Sequence, residues 1–352
     1  MPFSHHSHSG QFCPGHAQNS LEEMVQRAIA QKMEIFALTE HMPRAHVEDL
    51  YPEEIAASHT PATTATTFAP FFAEASRLRE KYASQIQLLI GFETEWIVRP
   101  GASSPSSPSS LIEELLRQHA YDFIVGSVHH VHGVPIDYDR AMYEQARSKT
   151  KTAATAGSFS GHHHRDDDDA DDDDRLFEDY FDAQLEMLIA LEPPVVGHFD
   201  LIRLKSDDPE RRVGEFADGE AGGGQVWAKI RRNLDFIAGY GGILELNSSG
   251  LRKGLSEPYP QREICQAFMQ RGGRFTLSDD SHSIDQVATN YDRLLDFIVE
   301  VGIQSLCFLE RVDGDGDGDS PGPFRRFPNV VVRTISLEDL RRRPFWDGDG
   351  GR

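Results

Sequence analysis

Residues able to bind metal ions stand at the end of one apolar segment after another in this sequence. The segment ends are His6-Ser7-His8, Glu40-His41, Glu93 with Glu95, His129-His130, Gly197-His198-Phe199-Asp200, Glu245-Leu246-Asn247 and Asp279-Asp280-Ser281-His282. Imidazole and carboxylate groups together suit Zn, Mn or Fe, and a carboxylate can bridge two ions. A single histidine is more often structural, but seven successive segment ends indicate metal-dependent chemistry.

The elements that must position these residues alternate between helix and strand. Apolar residues recurring every three or four positions predict helices over 21–32, 71–82, 111–119, 176–191, 226–238, 262–270 and 286–301. Short apolar runs predict strands over 34–39, 86–92, 123–128, 195–201, 242–246, 274–277 and 303–309, with a further strand near 2–5. Seven or eight alternating strands favour an α/β barrel of parallel strands.

Such a barrel would gather the segment ends, because the carboxyl ends of its strands all open on one face. In His6-Ser7-His8 and Asp280-Ser281-His282 the two outer side chains share one face of a strand, since side chains alternate with a period of two. Either pair could bind one ion or two adjacent ions. The spacing therefore predicts a metal centre built from residues that are remote in sequence.

Stretches rich in Ser, Pro and Gly or in like charges interrupt this alternation, at 101–110, 147–174, 206–225 and 313–323. Their composition cannot bury a core, so they are interpreted as surface insertions. We predict one barrel domain over 1–310 with insertions near 101–110, 147–174 and 206–225. An Asp/Gly-rich insertion and a C-terminal extension would occupy 311–352. The run His162-His163-His164 is interpreted as part of a solvated tract.

Composition argues against several classes of protein. The formal charge is −22, but twelve of the aspartates lie in the low-complexity runs 166–174 and 313–319. There is no basic stripe, so nucleic-acid binding has little support. Cys13, Cys265 and Cys307 lack the spacing of a disulfide framework or zinc knuckle, and no apolar run approaches the roughly 18 residues that span a bilayer. A cytoplasmic protein without membrane contact is expected, and the oligomeric state is left open.

Several motifs together resemble those of the polymerase and histidinol phosphatase (PHP) family. They are His6-Ser7-His8, Phe12-Cys13-Pro14-Gly15-His16-Ala17, Thr39-Glu40-His41, Gly91-Phe92-Glu93, Gly126-Ser127-Val128-His129, Gly197-His198-Phe199-Asp200 and Ser278-Asp279-Asp280-Ser281-His282. The likeness covers the chain from its start to about Glu310, apart from the insertions. The segment from Glu245 to Lys253, with Glu257-Pro258-Tyr259-Pro260, is most similar to the fungal-type histidinol-phosphate phosphatases of that family.

The resemblance implies a distorted seven-stranded (β/α) barrel with three divalent ions, expected to be Zn, Mn or Fe. Carried over position by position, His6, His8, Glu93 and Asp280 would hold one ion. His16, His41 and His282 would hold a second, and His129 with His198 a third, with Glu93 as bridge. Asp279 precedes Asp280, so the choice of ligand rests on the two-residue spacing of Asp280-Ser281-His282.

The ions define the expected reaction. A water held between two cations loses a proton near neutral pH and attacks a phosphoryl group whose charge the same cations neutralise. Asp280 and His282 are the candidate catalytic residues, through their link to the metal, and the general acid is left open. Arg252, Arg203 and Arg44, in that order, are the candidate phosphate-binding residues. For each, the alternative is a surface arginine paired with a carboxylate.

The resemblance implies hydrolysis of L-histidinol phosphate to L-histidinol and phosphate, in histidine biosynthesis. The residues alone reach only a phosphoester hydrolase, so another small phosphate ester is an alternative substrate. An amidohydrolase-type barrel also opens with His-x-His and cleaves C–N bonds, although His16, His129 and Asp280-Ser281-His282 favour a third ion site. A non-enzymatic scaffold would need a degenerate ligand set, and none of the nine ligands is missing.

Overall fold

Parallel strands joined by helices build the chain, as seen in a computed structural model that describes residues 2–98, 108–156, 172–212, 223–312 and 324–346. The strands in this part of the chain are β1 (Phe3–Ser4), β2 (Ile35–Leu38), β3 (Gln87–Glu95), β4 (Phe123–Ser127), β5 (His130–Val131), β6 (Val134–Pro135), β7 (Val195–Val196), β8 (Ile243–Asn247), β9 (Arg274–Ser278), β10 (Ser305–Arg311) and β11 (Val330–Ser336). The run His162-His163-His164 and the stretch 313–323 lie outside the described residues.

Helices occupy most of the connections between these strands. They are α1 (Leu21–Ala30), α2 (Pro52–Ala56), α3 (Pro61–Phe68), α4 (Phe71–Tyr82), α5 (Pro108–Gln118), α6 (Arg140–Ala156), α7 (Asp172–Leu191), α8 (Gly223–Tyr240), α9 (Ser249–Arg252), α10 (Arg262–Met269), α11 (Tyr291–Val301) and α12 (Leu337–Arg341). None of the described helices is both long and apolar enough to cross a membrane.

Local sequence explains where α1 begins and which way it faces. The Ser20 side chain accepts from the Glu23 backbone N–H, and Glu23 in turn accepts from the Ser20 N–H, which forms a capping box. Leu21, Met24 and Val25 follow at helical spacing and are buried. The helix therefore starts at a defined residue and places its apolar face against the barrel.

The sheet has seven strands in the order β1-β2-β3-β4-β7-β8-β9, and all the pairings between neighbours are parallel. Its two edges meet, because the His5 N–H donates to the Leu277 carbonyl at 3.1 Å and the His8 N–H donates to the Ser281 carbonyl at 2.8 Å. The result is a nearly closed, distorted (β/α) barrel. The predicted fold class is confirmed.

The eighth predicted strand, over 303–309, takes a different place. It corresponds to β10, which pairs antiparallel with β11 instead of joining the barrel. This hairpin packs beside β1, since the Leu309 N–H donates to the His5 Nε2 at 3.0 Å and the Phe308 and Phe3 rings lie 5.5 Å apart. The sequence of β10 does not show that its partner is β11, because β11 follows only after the insertion at 313–323.

Element ends also differ from expectation around β4 and β7. Strand β7 has two residues rather than the seven expected over 195–201, and Leu201–Lys205 forms a 3-10 turn. Helix α6 was not predicted, and it extends with α7 into the range expected to be an insertion. Asp173 accepts from the Tyr143 hydroxyl at 2.9 Å, and Asp174 pairs with Arg211 at 2.6 Å. Both aspartates are buried by these contacts.

Candidate metal centre

Glu93, on β3, is the common neighbour of five histidines that follow β1, β2, β4 and β7. Its Oε1 lies within 3.3 Å of three imidazole nitrogens, namely the Nε2 atoms of His6 (3.2 Å), His129 (3.3 Å) and His198 (3.0 Å). Its Oε2 lies 2.8 Å from His41 Nδ1 and 3.5 Å from His8 Nε2. These rings come from the ends of β1, β2, β4 and β7, so the barrel gathers them as predicted for parallel strands.

The donor atoms fit divalent cations. Several buried nitrogens in the described residues have no hydrogen-bond partner, including His6 Nε2, both ring nitrogens of His8 and both of His41. His129 Nε2 and His198 Nε2 approach to 3.1 Å. Buried polar atoms normally have partners, and two imidazole nitrogens this close share either a proton or a metal ion. Cations bound by one nitrogen of each ring would give partners to the ligating nitrogens.

Three groups in the described part of the chain bring ligand atoms close enough together to hold an ion. They are His6 with His8 and Glu93, Glu93 with His129 and His198, and His8 with His41 and His282. Of the expected second group, His16 stands slightly apart. Its ring centroid is 5.0 Å from that of His41 and 4.9 Å from that of His282, and its Nδ1 lies 2.9 Å from Glu53. His8 belongs to two of the three groups, the one with His6 and Glu93 and the one with His41 and His282.

Asp280 faces the histidines, whereas Asp279 does not. Asp280 Oδ1 lies 3.3 Å from His8 Nε2 and 3.7 Å from His6 Nε2. The Asp279 carboxylate instead accepts from the Ser4 hydroxyl at 3.0 Å and the Ala288 N–H at 2.7 Å. Asp280 adopts a left-handed backbone conformation with φ of 48°. Strained conformations of this kind often occur at functional sites, held by the surrounding structure.

A further layer of carboxylates orients the imidazole rings. Glu245 Oε2 lies 3.1 Å from His6 Nδ1, Glu95 Oε2 lies 3.0 Å from His129 Nδ1, and Glu53 holds His16. A carboxylate that accepts from Nδ1–H leaves the Nε2 lone pair free for a cation and fixes the ring plane. The sequence also places Glu95 and Glu245 at strand ends. Sequence position alone does not distinguish a carboxylate that binds a metal ion from one that orients a ligating histidine.

The electrostatics of the centre favour positive charge. Burial raises the pKa of Glu93, but His6, His129 and His41 outweigh it and hold that pKa well below its usual range. Burial lowers the pKa of His41, yet Glu93 and Glu95 raise it to about 9. Burial, reinforced by His41, lowers the pKa of His8 to about 3, so His8 is neutral, as ligation requires. The carboxylates thus stabilise a cation, whether proton or metal.

The three candidate arginines lie in different surroundings. Arg252 lines the cavity above the centre, and its two Nη atoms donate to the carbonyls of Asp279 and Asp280 at 3.1 and 3.0 Å. Arg203 is buried, donating to Asp200 and to the carbonyls of Pro209, Glu257 and Pro258. Arg44 is buried between Glu54 and Glu95. The structure brings Arg252 to the cavity and does not bring Arg203 or Arg44 there.

The cavity has a volume of about 520 Å³ and opens over the metal-capable residues. Besides those residues and Arg252, its wall includes six that sequence reasoning did not assign, namely Tyr51, Glu53, Asp137, Tyr138, Lys253 and Gln286. Only Lys253 could have been found from the sequence, because it directly follows Arg252. The others stand on connections whose path the apolar pattern does not predict.

A parallel barrel whose strand ends assemble clustered histidines and carboxylates beneath an open cavity is the architecture of a metal-dependent hydrolase. The PHP domain family matches residues 4–249, which is more than half of the chain. The chain belongs to the PHP domain family.

Two fungal relatives match nearly the whole chain. A Schizosaccharomyces pombe protein named "Probable histidinol-phosphatase" is 39% identical over 340 residues, covering 97% of this chain and 96% of the relative. The Saccharomyces cerevisiae protein named histidinol-phosphatase is 31% identical over 368 residues, covering 97% and 98%. The family recognised from the motifs is confirmed.

Solved structures share the fold. The HisK protein of Listeria monocytogenes matches with a TM-score of 0.60 at 20% identity, over 83% of this chain and 99% of that chain. The histidinol phosphate phosphatase of Lactococcus lactis, crystallised with Zn, L-histidinol and phosphate, matches with a TM-score of 0.54 at 18% identity, over 87% and 95%. At these identities the likeness establishes the barrel architecture.

Proposed function

We propose that this protein hydrolyses L-histidinol phosphate to L-histidinol and phosphate, and so serves histidine biosynthesis. The observation that carries the proposal is the convergence of buried imidazole nitrogens on Glu93 beneath a cavity that Arg252 also lines. The names of the two fungal relatives, and the L-histidinol and phosphate bound to the Lactococcus lactis protein, support this substrate.

The metal requirement is proposed as three divalent ions, with Zn, Mn and Fe as the candidates. His6, His8, Glu93 and Asp280 would hold one, His16, His41 and His282 a second, and His129 with His198 a third that shares Glu93. When bound, such ions supply an activated water and neutralise the charge of the phosphoryl group. Because the rings are fixed by the barrel and by Glu245, Glu95 and Glu53, the chain itself sets where those ions lie.

Among the chain's own groups, Arg252 is the proposed phosphate-binding residue. Each Nη atom carries two N–H groups, and one of each is engaged by the carbonyls of Asp279 and Asp280. The remaining N–H groups stay available to the phosphate, on a guanidinium already held in place. Asp280 and His282 line the same cavity and would hold their ions next to the reacting phosphoryl group. Arg203 and Arg44 would support the walls, since carboxylates and carbonyls already engage them.

A cytoplasmic location is part of the proposal. Cys13, Cys265 and Cys307 are all free thiols and buried. Free thiols are expected where glutathione and thioredoxin keep cysteines reduced. The partner proposed is the small phosphate ester alone.

The test is product analysis with metal-loaded protein. Phosphate release from L-histidinol phosphate is measured beside ammonia release from amide and amine substrates, with Mn, Zn, Fe or Mg supplied in turn. Phosphate release with a preference for L-histidinol phosphate over other small phosphomonoesters is expected. Ammonia release without phosphate release would assign the barrel to C–N hydrolysis instead, and a preference for another ester would keep the reaction but change the substrate.

A further inference from the structure

The cavity wall carries opposite charges that come from different sides of the barrel. Arg252 and Lys253 follow β8, whereas Glu53 follows β2 and Asp137 follows β4. The seven strands form a ring in the order β1-β2-β3-β4-β7-β8-β9, and β2 and β4 flank β3. On this ring β3 lies opposite β8 and β9, three places from each. A ligand that spans the cavity therefore meets cationic groups on one side and carboxylates on the other.

Asp137 is the carboxylate on this wall that other protein groups leave unneutralised. One of its oxygens accepts from the Tyr51 hydroxyl at 3.2 Å. Within the described ranges, no lysine, arginine or histidine forms an ion pair with Asp137, whereas Glu53 is engaged by His16 and Glu95 by Arg44. A half-buried carboxylate beside a cavity, held by one neutral donor, retains an unused acceptor oxygen.

Two tyrosine rings stand near this carboxylate. Tyr51 and Tyr138 meet edge to face with centroids 6.2 Å apart, and both line the cavity. Tyr138 is 39% exposed, so its ring stands at the open side of the wall. The exposed Tyr138 ring suits a flat or cationic group, because the ring quadrupole attracts positive charge, whereas the Tyr51 ring already lies under the Arg44 guanidinium at 5.0 Å.

We propose that Asp137, flanked by Tyr51 and Tyr138, binds the positively charged nitrogen of the leaving alcohol while Arg252 binds the phosphate, and thereby selects cationic phosphate esters. This inference rests on the proposed hydrolysis of a phosphate ester and adds the residue that discriminates between esters. L-Histidinol phosphate carries an ammonium group and an imidazole on the alcohol side of the ester, which matches the order of charges along the cavity. A neutral ester would leave Asp137 desolvated without a cationic partner, which opposes its binding.

The test compares Asp137→Asn with wild-type protein, because asparagine keeps the size and the acceptor for the Tyr51 hydroxyl while it removes the charge. The quantity measured is the kcat/KM for L-histidinol phosphate divided by that for p-nitrophenyl phosphate, an ester with no cation. We expect this ratio to fall roughly tenfold or more, the scale of one hydrogen bond to a charged group. The inhibition constant for L-histidinol should rise with it, while that for inorganic phosphate should not.

Asp139→Asn is the matched control. Asp139 lies two residues further along the same connection, does not line the cavity, and accepts from the Met142 N–H at 2.8 Å, a contact that asparagine can keep. Its ratio should equal that of wild type, and metal content measured on all three proteins should be the same.

The outcomes for the inference and for the proposed function can be told apart. If wild-type protein releases no phosphate from L-histidinol phosphate, the proposed function fails, and calorimetric binding of L-histidinol to both proteins still decides about Asp137. If wild type hydrolyses L-histidinol phosphate but Asp137→Asn leaves the ratio and the L-histidinol affinity unchanged, the inference is overturned and the function stands. Absence of L-histidinol binding to wild type also overturns the inference.

Discussion

The strand-end ligands and the loop residues of the cavity wall differ in how firmly the fold holds them. His6, His8 and Glu93 are almost fully buried; Glu93 is paired within β3, and the His8 N–H donates to the Ser281 carbonyl just beyond β1. Asp137 and Tyr138 stand on a connection, and Tyr138 is partly in solvent. The difference teaches that reaction chemistry here depends on the rigid barrel, whereas substrate choice depends on loops that it carries.

Removing strand-end ligands should have the largest effect. The double variant His6→Ala with His8→Ala takes away half of the protein ligands proposed for one ion, and displacement of the reacting groups by about 1 Å can cost on the order of 100-fold in rate. We expect at least that loss of turnover with every phosphate ester, together with fewer bound metal equivalents. Phosphate release and elemental analysis on the same sample measure both.

His119→Ala provides the control for this variant, since His119 stacks on Phe72 away from the cavity. It should retain wild-type turnover and metal content. If the double variant also retained turnover and metal content, His6-Ser7-His8 would have no part in the centre. Residues at this strand end would then not be needed for the reaction.

Changing a carboxylate that orients a ligating histidine should cause a smaller loss of turnover, and added metal should restore it. Glu245 accepts from the His198 N–H at 2.6 Å and from the Ser278 hydroxyl at 2.8 Å, as well as pairing with His6. Glu245→Gln should weaken metal affinity by roughly 10- to 100-fold, as changes in such orienting groups do. Competition with a chelator measures the affinity, and turnover should recover at saturating metal.

Glu310→Gln serves as the comparison, because Glu310 pairs with Arg333 on the outer hairpin. It should leave metal affinity unchanged. A Glu245→Gln protein that could not be rescued by metal would indicate that Glu245 takes part in the reaction itself, rather than acting through His6.

Arg252 should show an intermediate effect that depends on geometry as well as charge. Arg252→Ala is expected to weaken binding of L-histidinol phosphate by roughly 10-fold or more, and Arg252→Lys by less, because lysine keeps the charge but loses the planar fork. The loss should be larger for L-histidinol phosphate than for L-histidinol, which has no phosphate. KM and the L-histidinol inhibition constant are measured for both variants, with metal content as the check on Asp280. Equal and negligible effects would return Arg252 to a purely structural role.

Removing residues 157–171 should have the smallest effect. This stretch has no apolar periodicity with which to pack against the barrel, so a variant joining Ala156 to Asp172 through a short Gly/Ser linker should keep kcat/KM within about twofold. Extending the deletion to 174 should lower the melting temperature, because Asp173 and Asp174 make buried contacts with Tyr143 and Arg211. A large loss of turnover from the shorter deletion would give the tract a role at the cavity.

The same difference between strand ends and loops determines which parts of the site could be predicted from the sequence. Strand ends could be predicted because the apolar segments have a clear period and the barrel geometry brings their ends together. The structure accordingly has His6, His41, Glu93, His129 and His198 close to one another. The path of a loop depends on tertiary contacts, so the cavity positions of Tyr51 and Asp137 had no local signal. The burial of Arg203 and Arg44 likewise depends on partners distant in sequence, such as Pro258 and Glu95.

The measurement that tests the central claim most directly is phosphate release from L-histidinol phosphate by one preparation before chelation, after chelation and after reloading with metal. The barrel has a large apolar core that is separate from the histidine cluster. The chelated protein should therefore keep a near-native circular dichroism spectrum and show no turnover, and activity should return in proportion to the divalent ion bound. Full turnover by protein shown by elemental analysis to be free of metal would contradict the account.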